Sequence, residues 1–474
     1  MRRTKIVASL GPASWGKKEV RALLEAGADV VRINLAHGTA DEHAAAVRNA
    51  REQAKEIGRV VGVLADLPGP KMRTGPLSRD EVELKPGDRF TLTSEDVAGD
   101  WTKVSTTVDN IAALVQEDDE IYLADGEIVL EVKEISDGDV ITEIKRGGTL
   151  RSRKGMHIPR AERKVEAFTR DDTAALDEAL RLKVDFIGLS FVRDADDVRN
   201  VKEALPKKGR KPLVIAKIET GSAVERLEEI VAEADAVMVA RGDLGIQLPL
   251  QMVPVLQKRI IAACNEAGKP VITATQMLES MTRNPLPTRA EAADVANAVF
   301  DGTHALMLSE ETAIGEYPAQ AVAQMAQIAE ASEVDRDALI VEPLSHHMHD
   351  DRVSWAVAHA AVEAAEDLGV AAILCPTRSG STPFRVAAFR PSMPIVGLSE
   401  KSDTLGSLTL VWGVTPLPVD QPQEGVSAEE DVDRAWKAAK EAGIVATGDH
   451  VAIVAGSPGR RAGRTDYVRI ARVH

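Results

Sequence analysis

The sequence predicts an α/β protein: a (β/α)8 TIM barrel, interrupted by a small all-β lid and followed by an open-sheet α/β domain. Three observations carry this reading. Short apolar runs of strand length recur eight times before Ile328, with helix-like amphipathic segments between them. That alternation belongs to a parallel sheet, and eight is the number that closes a barrel. The rhythm breaks once, from about Lys71 to Lys164, where alternation of period two with Gly and Asp turns takes over. A polar stretch after Ile328 then leads into a second α/β pattern.

The eight strand-like runs are TKIVASL (4–10), VVRINLA (30–36), VGVLADL (61–67), DFIGLSF (185–191), LVIAKIE (213–219), AVMVARGD (236–243), PVITATQ (270–276) and ALMLSEE (305–311). Helix-like segments follow the first two around 17–26 and 40–57, and another lies around 194–205. The interruption contains VELKPGDRFTLTS, EIYLADGEIVLEV and DVITEIKRGG, whose alternation and DG turns signal hairpins. It leaves and re-enters at the top of one barrel strand, so it is expected to lie over the active face. The helical pattern resumes at TRDDTAALDEALRL, with Thr169 or Asp171 as the cap. EASEVDRDALIVEPLSHHMHDD reads as a linker. Beyond it come a helix at 352–368, strand AAILCPT, a helix near 383–389, strand PIVGLS, a helix near 428–441, and strands HVAIVAG and YVRIARV. The expected boundaries are 1–69 with 165–338 for the barrel, 70–164 for the lid and 339–474 for the C-terminal domain.

Length and composition agree with several domains of a soluble protein: 474 residues, 44% hydrophobic and 28% charged. A net charge of −16 argues against nucleic-acid or anionic-membrane partners, because the mean field repels polyanions. A small phosphorylated ligand needs only a local cationic pocket. Cys264 and Cys375 lie far apart and read as buried core residues in a reducing compartment. No run is long enough for a membrane span, and MRRTKIVASLGPAS lacks the apolar core of a signal peptide. A cytoplasmic location is expected.

The chemistry concentrates at strand ends. Lys217 and Glu219 close the fifth run, Asp243 the sixth, Thr275 the seventh and Ser309 the eighth. Carboxyl ends of barrel strands converge on one face, where such folds keep their active sites. Lys217 and Glu219 are two apart on a strand and point the same way. A structural ion pair is the alternative reading of these two, and a helix-capping residue the alternative for Thr275.

The chain resembles the pyruvate kinase family over almost its whole length. The motifs are KIVASLGPAS, VVRINLAHG, DLPGPKMRTG, RKGMHIP, FIGLSFVR, IAKIE, MVARGDLG, GKPVITATQMLESM, PTRAEAADVANAVFDG and LMLSEETA. The resemblance implies phosphoryl transfer from phosphoenolpyruvate to ADP, giving pyruvate and ATP, in a homotetramer. It implies catalytic roles for Lys217, Thr275, Arg32 and Arg73, and substrate binding by Arg32, Lys217, Gly242, Asp243 and Thr275. Nucleotide contacts fall on Asn34, His37, Arg73 and Lys154, and Mg²⁺ (or Mn²⁺) ligands on Glu219 and Asp243. Ser309 would belong to a supporting hydrogen-bond network. Two other classes are an aldolase or mutase that also stabilises pyruvate enolate, and a regulatory homologue without catalysis. Arg73 and Lys154 in the lid argue against the first, and intact Lys217, Glu219, Asp243 and Thr275 against the second.

Two features are particular to this chain. Relatives that require K⁺ have an Asn, Ser, Asp and backbone-carbonyl constellation with a nearby Glu. Here Asn34 and Asp66 are kept, Ala36 stands at the Ser, Leu67 and Pro68 follow the Asp, and Lys71 stands at the Glu. A missing hydroxyl and an added ammonium together imply that Lys71 replaces K⁺, the alternative being a solvent-pointing lysine with K⁺ still bound. In TRSGSTPFRVAAFRP, Ser379, Gly380, Ser381 and Thr382 resemble the family's effector loop. Hydroxyls ahead of a helix suit a phosphate, from AMP or a sugar phosphate. A loop without ligand is the alternative. Glu310, where the family often has a small residue, has no physical account.

Overall fold

The computed structural model describes residues 2–70, 72–124, 126–163, 165–206, 209, 211–334, 351–420, 428–456 and 463–474. Eight parallel strands close a barrel: Lys5–Ser9, Val30–Asn34, Gly62–Asp66, Phe186–Leu189, Leu213–Ile218, Ala236–Ala240, Val271–Ala274 and Ala305–Leu308. All eight lie within the expected runs. Side chains facing into the barrel fill it: Val7, Val30, Leu64, Phe186, Ile215, Met238, Ile272 and Met307 form one cluster. Side chains facing outward pack beneath the helices in a second, larger cluster. Burial on both faces explains why the strands read as continuous apolar runs.

Several helices start where the sequence supplies caps. Thr39, Thr169 and Thr288 each form a capping box with Glu42, Asp172 and Glu291 respectively. Thr169 is thus the cap of Arg170–Arg181, and the segments at 17–26 and 40–57 are helices Lys17–Ala26 and Ala40–Glu56.

Between the third and fourth barrel strands lies the all-β insertion. Its six-stranded sheet runs in the order Met156–His157, Glu120–Leu123, Ile128–Ser136, Asp139–Arg146, Arg89–Thr93 and Lys103–Ser105. Gly148–Arg151 pairs with Glu81–Leu84 alongside it. Phe90, Leu92, Ile121, Leu123 and Leu130 give it a core of its own. The chain entering and the chain leaving this unit lie side by side. Arg73 bridges Gly155, Thr74 N donates to Lys154 O at 2.9 Å and Met156 N to Met72 O at 2.9 Å. This pairing brings Arg73 and Lys154, 81 positions apart in sequence (154 − 73), to one place.

The C-terminal sheet is ordered Val414–Pro418, Ile395–Ser399, Ala372–Pro376, His450–Ala455 and Tyr467–Arg472, parallel but for the last strand. The strand Val414–Pro418 and the helix Ser402–Leu408 were not foreseen. Two prolines in VTPLP speak against a strand, and the pattern is tolerated because this strand is the sheet edge. After that helix, Leu410 joins the cluster inside the barrel and closes it from below. Lys5 Nζ donates to Val414 O at 2.7 Å, and Gly413 N to Arg3 O at 2.9 Å, across the same junction.

Candidate active site

The polar groups at the strand ends form one buried network. Lys217 Nζ lies 2.8 Å from Glu219 Oε1 and 3.7 Å from Asp66 Oδ2, and donates to Ser190 Oγ at 3.0 Å. Arg32 Nε donates to Asp66 Oδ2 at 2.7 Å, and its Nη1 to Ser9 Oγ at 3.0 Å. Four strands, the first to third and the fifth, thus send charges or hydroxyls to one spot, with Ser190 just past the end of the fourth. Gly188 makes room for this: a Cβ there would stand 2.1 Å from Asp66 Oδ1.

Burial and charge oppose each other at Lys217. Burial disfavours its ammonium, but attraction to Glu219 and then Asp66 outweighs this, and its pKa is held above the ordinary lysine range. Arg32 opposes the shift, and Asp243 adds to it. Lys217 is therefore a permanent cation here rather than a proton carrier.

Glu219 is 1% exposed and oriented at both oxygens, by Lys217 and by Phe191 N, which donates to Oε2 at 2.7 Å. Asp243 lies in the first turn of Arg241–Gln247 and borders the cleft described below. Two carboxylates of this kind fit a hard divalent ion that keeps several water or substrate oxygens. Among the described residues no group of three or more His, Cys, Asp or Glu could hold a metal by itself. The donor set suits an ion shared with a ligand.

Thr275 has φ 68° and Gln276 φ 53°, so the seventh strand ends in a left-handed turn that side chains disfavour. Arg241 holds it, donating to Thr275 O at 2.7 Å and pairing with Asp294 at 2.7 Å. Thr275 Oγ1 accepts from Gly242 N at 2.8 Å. That amide, on a residue expected to bind substrate, is engaged by Thr275.

A cleft of about 320 Å³ separates barrel and lid, lined among others by Arg73, Lys154 and His157 from the lid side and Phe191, Arg193 and Asp243 from the barrel. Burial pushes the His157 imidazole down to about 4, so it is neutral at physiological pH. Asn34 and His37 are not among the residues lining the cleft. Asn34 Oδ1 accepts from Ala36 N at 3.2 Å, and His37 is exposed in the same turn. Lys71 lies outside the described residues. Ser309 precedes the short helix Glu310–Ala313, and its N donates to Glu311 Oε2 at 2.7 Å. Glu310 itself is exposed.

In the C-terminal domain, Gly380 (φ 81°) precedes helix Ser381–Ala388. Its N donates to Thr377 Oγ1 at 3.0 Å, and Ser379 Oγ lies 3.0 Å from Ser381 Oγ. Thr382 is turned inward to Thr465 Oγ1 at 2.8 Å. The loop presents Ser379 and Ser381 but keeps Thr382 within the fold.

Sequence reasoning missed Ser9, Ser190 and Arg241, and the pairing of Asp66 with both Arg32 and Lys217. Ser190 had a signal, since it closes the fourth run as the other polar residues close theirs.

A closed barrel with buried cations and carboxylates at its carboxyl ends, beneath a lid carrying Arg73 and Lys154, defines a lidded barrel enzyme for anionic substrates. Comparison with known proteins makes this specific. Residues 1–322 match "Pyruvate kinase, barrel domain" and residues 355–471 match "Pyruvate kinase, alpha/beta domain". The chain is 40% identical over 475 residues to the pyruvate kinase of Thermococcus litoralis, covering 99% of this chain and 98% of the other. It is 39% identical over 473 residues to that of Thermotoga maritima, covering both in full. With the Geobacillus stearothermophilus pyruvate kinase it shares 42% over 476 residues, 99% of this chain and 80% of the relative. The chain belongs to the pyruvate kinase family and is a phosphotransferase. No described helix is long and apolar enough to cross a membrane.

Proposed function

We propose that this protein transfers the phosphoryl group of phosphoenolpyruvate to ADP with Mg²⁺, forming ATP and pyruvate as the last step of glycolysis. The observation that carries the reading is the Lys217–Glu219–Asp66–Arg32 network at the strand ends, under a cleft bordered by Asp243, Arg73 and Lys154. Two anions must meet, so positioning and charge neutralisation are the protein's main work. Lys217, permanently charged, stabilises the phosphoryl group in transit and the enolate oxygen it leaves. Arg32 and Arg73 clamp that group from the barrel and the lid, Lys154 holds the nucleotide phosphates in the cleft, and Asn34 and His37 contact the nucleotide from the turn outside it. Glu219 and Asp243 would hold the divalent ion, which supplies Lewis-acid polarisation and a template when bound. Gly242 and Asp243 receive the substrate carboxylate, the Gly242 amide giving up its bond to Thr275 Oγ1 to do so, and Thr275 stands by the carbon that takes up a proton.

Lys71 takes the place of K⁺ in this reading, and the loop Ser379–Thr382 binds a phosphorylated activator in a homotetramer. ATP formation from phosphoenolpyruvate and ADP with Mg²⁺ tests the core. Parallel assays in Na⁺, K⁺ and tetramethylammonium salts at equal ionic strength test the cation. Near-equal rates in the three are expected. An inactive enzyme would refute the activity, and strong K⁺ activation would refute the role of Lys71.

A further inference from the structure

Ser190 stands between the central ammonium and the root of the lid. Its Oγ accepts from Lys217 Nζ at 3.0 Å and donates to Leu67 O at 2.8 Å. Leu67 directly follows the third barrel strand, at the point where the chain departs for the lid. The packing there is close: a Cβ on Gly69 (φ 66°) would stand 2.9 Å from Ser190 Cβ. Gly69 N is fixed in turn by Asp172 Oδ1 at 2.9 Å. Phe191, the next residue, has φ 55° and lines the cleft, and its N–H orients Glu219 at 2.7 Å. One tight turn therefore touches the ammonium, a carboxylate beside it and the lid root. Ser190 is 3% exposed, so solvent does not readily substitute for its hydroxyl.

We infer that Ser190 is a positioning residue that fixes the Lys217 ammonium relative to the lid root through a Lys217–Ser190–Leu67 hydrogen-bond relay. The inference rests on the proposed role of Lys217 in phosphoryl transfer. A hydroxyl suits the task because it accepts from the ammonium and donates to the carbonyl at once. Alanine leaves the ammonium with its carboxylate partners, Glu219 and Asp66, and removes its hydroxyl-mediated link to Leu67 O. The side chain itself touches no reacting atom in this account.

The test is a double-mutant cycle on the full-length enzyme, with kcat and KM measured for both substrates. Ser190→Ala is expected to lower kcat by about tenfold or more, the effect of losing a hydrogen bond to a charged group. KM values should change by less than about twofold, since uniform binding is not what is lost. In a Lys217→Ala background the same change should cost nothing further, because Ser190 acts through that lysine. Ser190→Thr, which keeps the hydroxyl, should recover most of the rate. Losses that multiply in the double mutant, a kcat within about twofold of the parent in Ser190→Ala, or an effect on KM alone would each overturn the relay. A parent without ATP-forming activity would instead sink the proposed function, so the two failures are separable.

Discussion

Lys217 shows how a single residue can be costly to bury and still be kept. Its side chain is 12% exposed, yet two carboxylates, Glu219 and Asp66, keep it charged. Because such a cation acts on charge that develops during transfer, Lys217→Ala should reduce kcat about 10²-fold or more with a smaller change in phosphoenolpyruvate KM. Steady-state kinetics with saturating ADP decide this, and a raised KM at normal turnover would contradict it. Glu219→Gln and Asp243→Asn should each raise the Mg²⁺ concentration for half-maximal rate. Combined, they should cost less than the sum of the single effects, since both report on one ion. A Mg²⁺ titration unchanged in either variant would remove that carboxylate from the set.

At the scale of elements, the site depends on turns that the strands cannot hold by themselves. Thr275 and Gln276 adopt positive φ, and Arg241 ties that turn to the helix Arg289–Phe300 through Asp294. Lysine cannot reproduce the guanidinium fork, so Arg241→Lys should destabilise the protein by about 1–3 kcal/mol. Urea unfolding measures the loss, and a wild-type midpoint would show that the turn is held otherwise. The loop before helix Ser381–Ala388 gives a second prediction. Ser381→Asp would place a carboxylate where a phosphate is proposed to bind. Activation by AMP, ribose 5-phosphate, glucose 6-phosphate or fructose 1,6-bisphosphate should vanish while the basal rate stays. If none of the four activates the parent, the loop has no such effector.

Across the whole molecule, barrel and C-terminal domain meet through buried charge. Arg390 donates to His304 Nδ1 at 3.5 Å and stacks 4.7 Å from the Trp412 ring, while Arg3 lies 5.6 Å from the same ring. Burial, reinforced by Arg390, holds the His304 imidazole well below its usual range. In the unfolded chain it protonates near the ordinary value of about 6.5. Below that pH the unfolded state takes up a proton that the folded state refuses, so stability falls as the medium is acidified. His157, held at about 4 by burial, acts in the same direction. Thermal unfolding should therefore show a midpoint that declines from pH 6.5 towards pH 4. His304→Gln should flatten part of that decline and leave the His157 share, and an unchanged slope would exclude His304 as a source.

The sequence by itself determined the class of fold, because eight apolar runs with polar ends are a local pattern set by side-chain period and burial. It also determined which residue types stand at the strand ends, from Lys217 to Ser309, for the same reason. One helix cap was narrowed in the same way: TRDD pointed to Thr169 or Asp171 without any tertiary contact, and the folded helix uses Thr169. Which polar groups touch was decided only when the barrel closed. Arg32, Asp66 and Lys217 come from the second, third and fifth strands, and no local pattern encodes their register. Ser190 and Arg241 were passed over because their function is to hold other residues, and that is visible only once the partners are in place. The same holds for the edge strand Val414–Pro418, whose prolines are tolerated because no neighbour needs their missing N–H groups on the open side. Leu410 is the extreme case: an ordinary apolar residue of a distant segment becomes part of the barrel interior because tertiary packing leaves that end open to it.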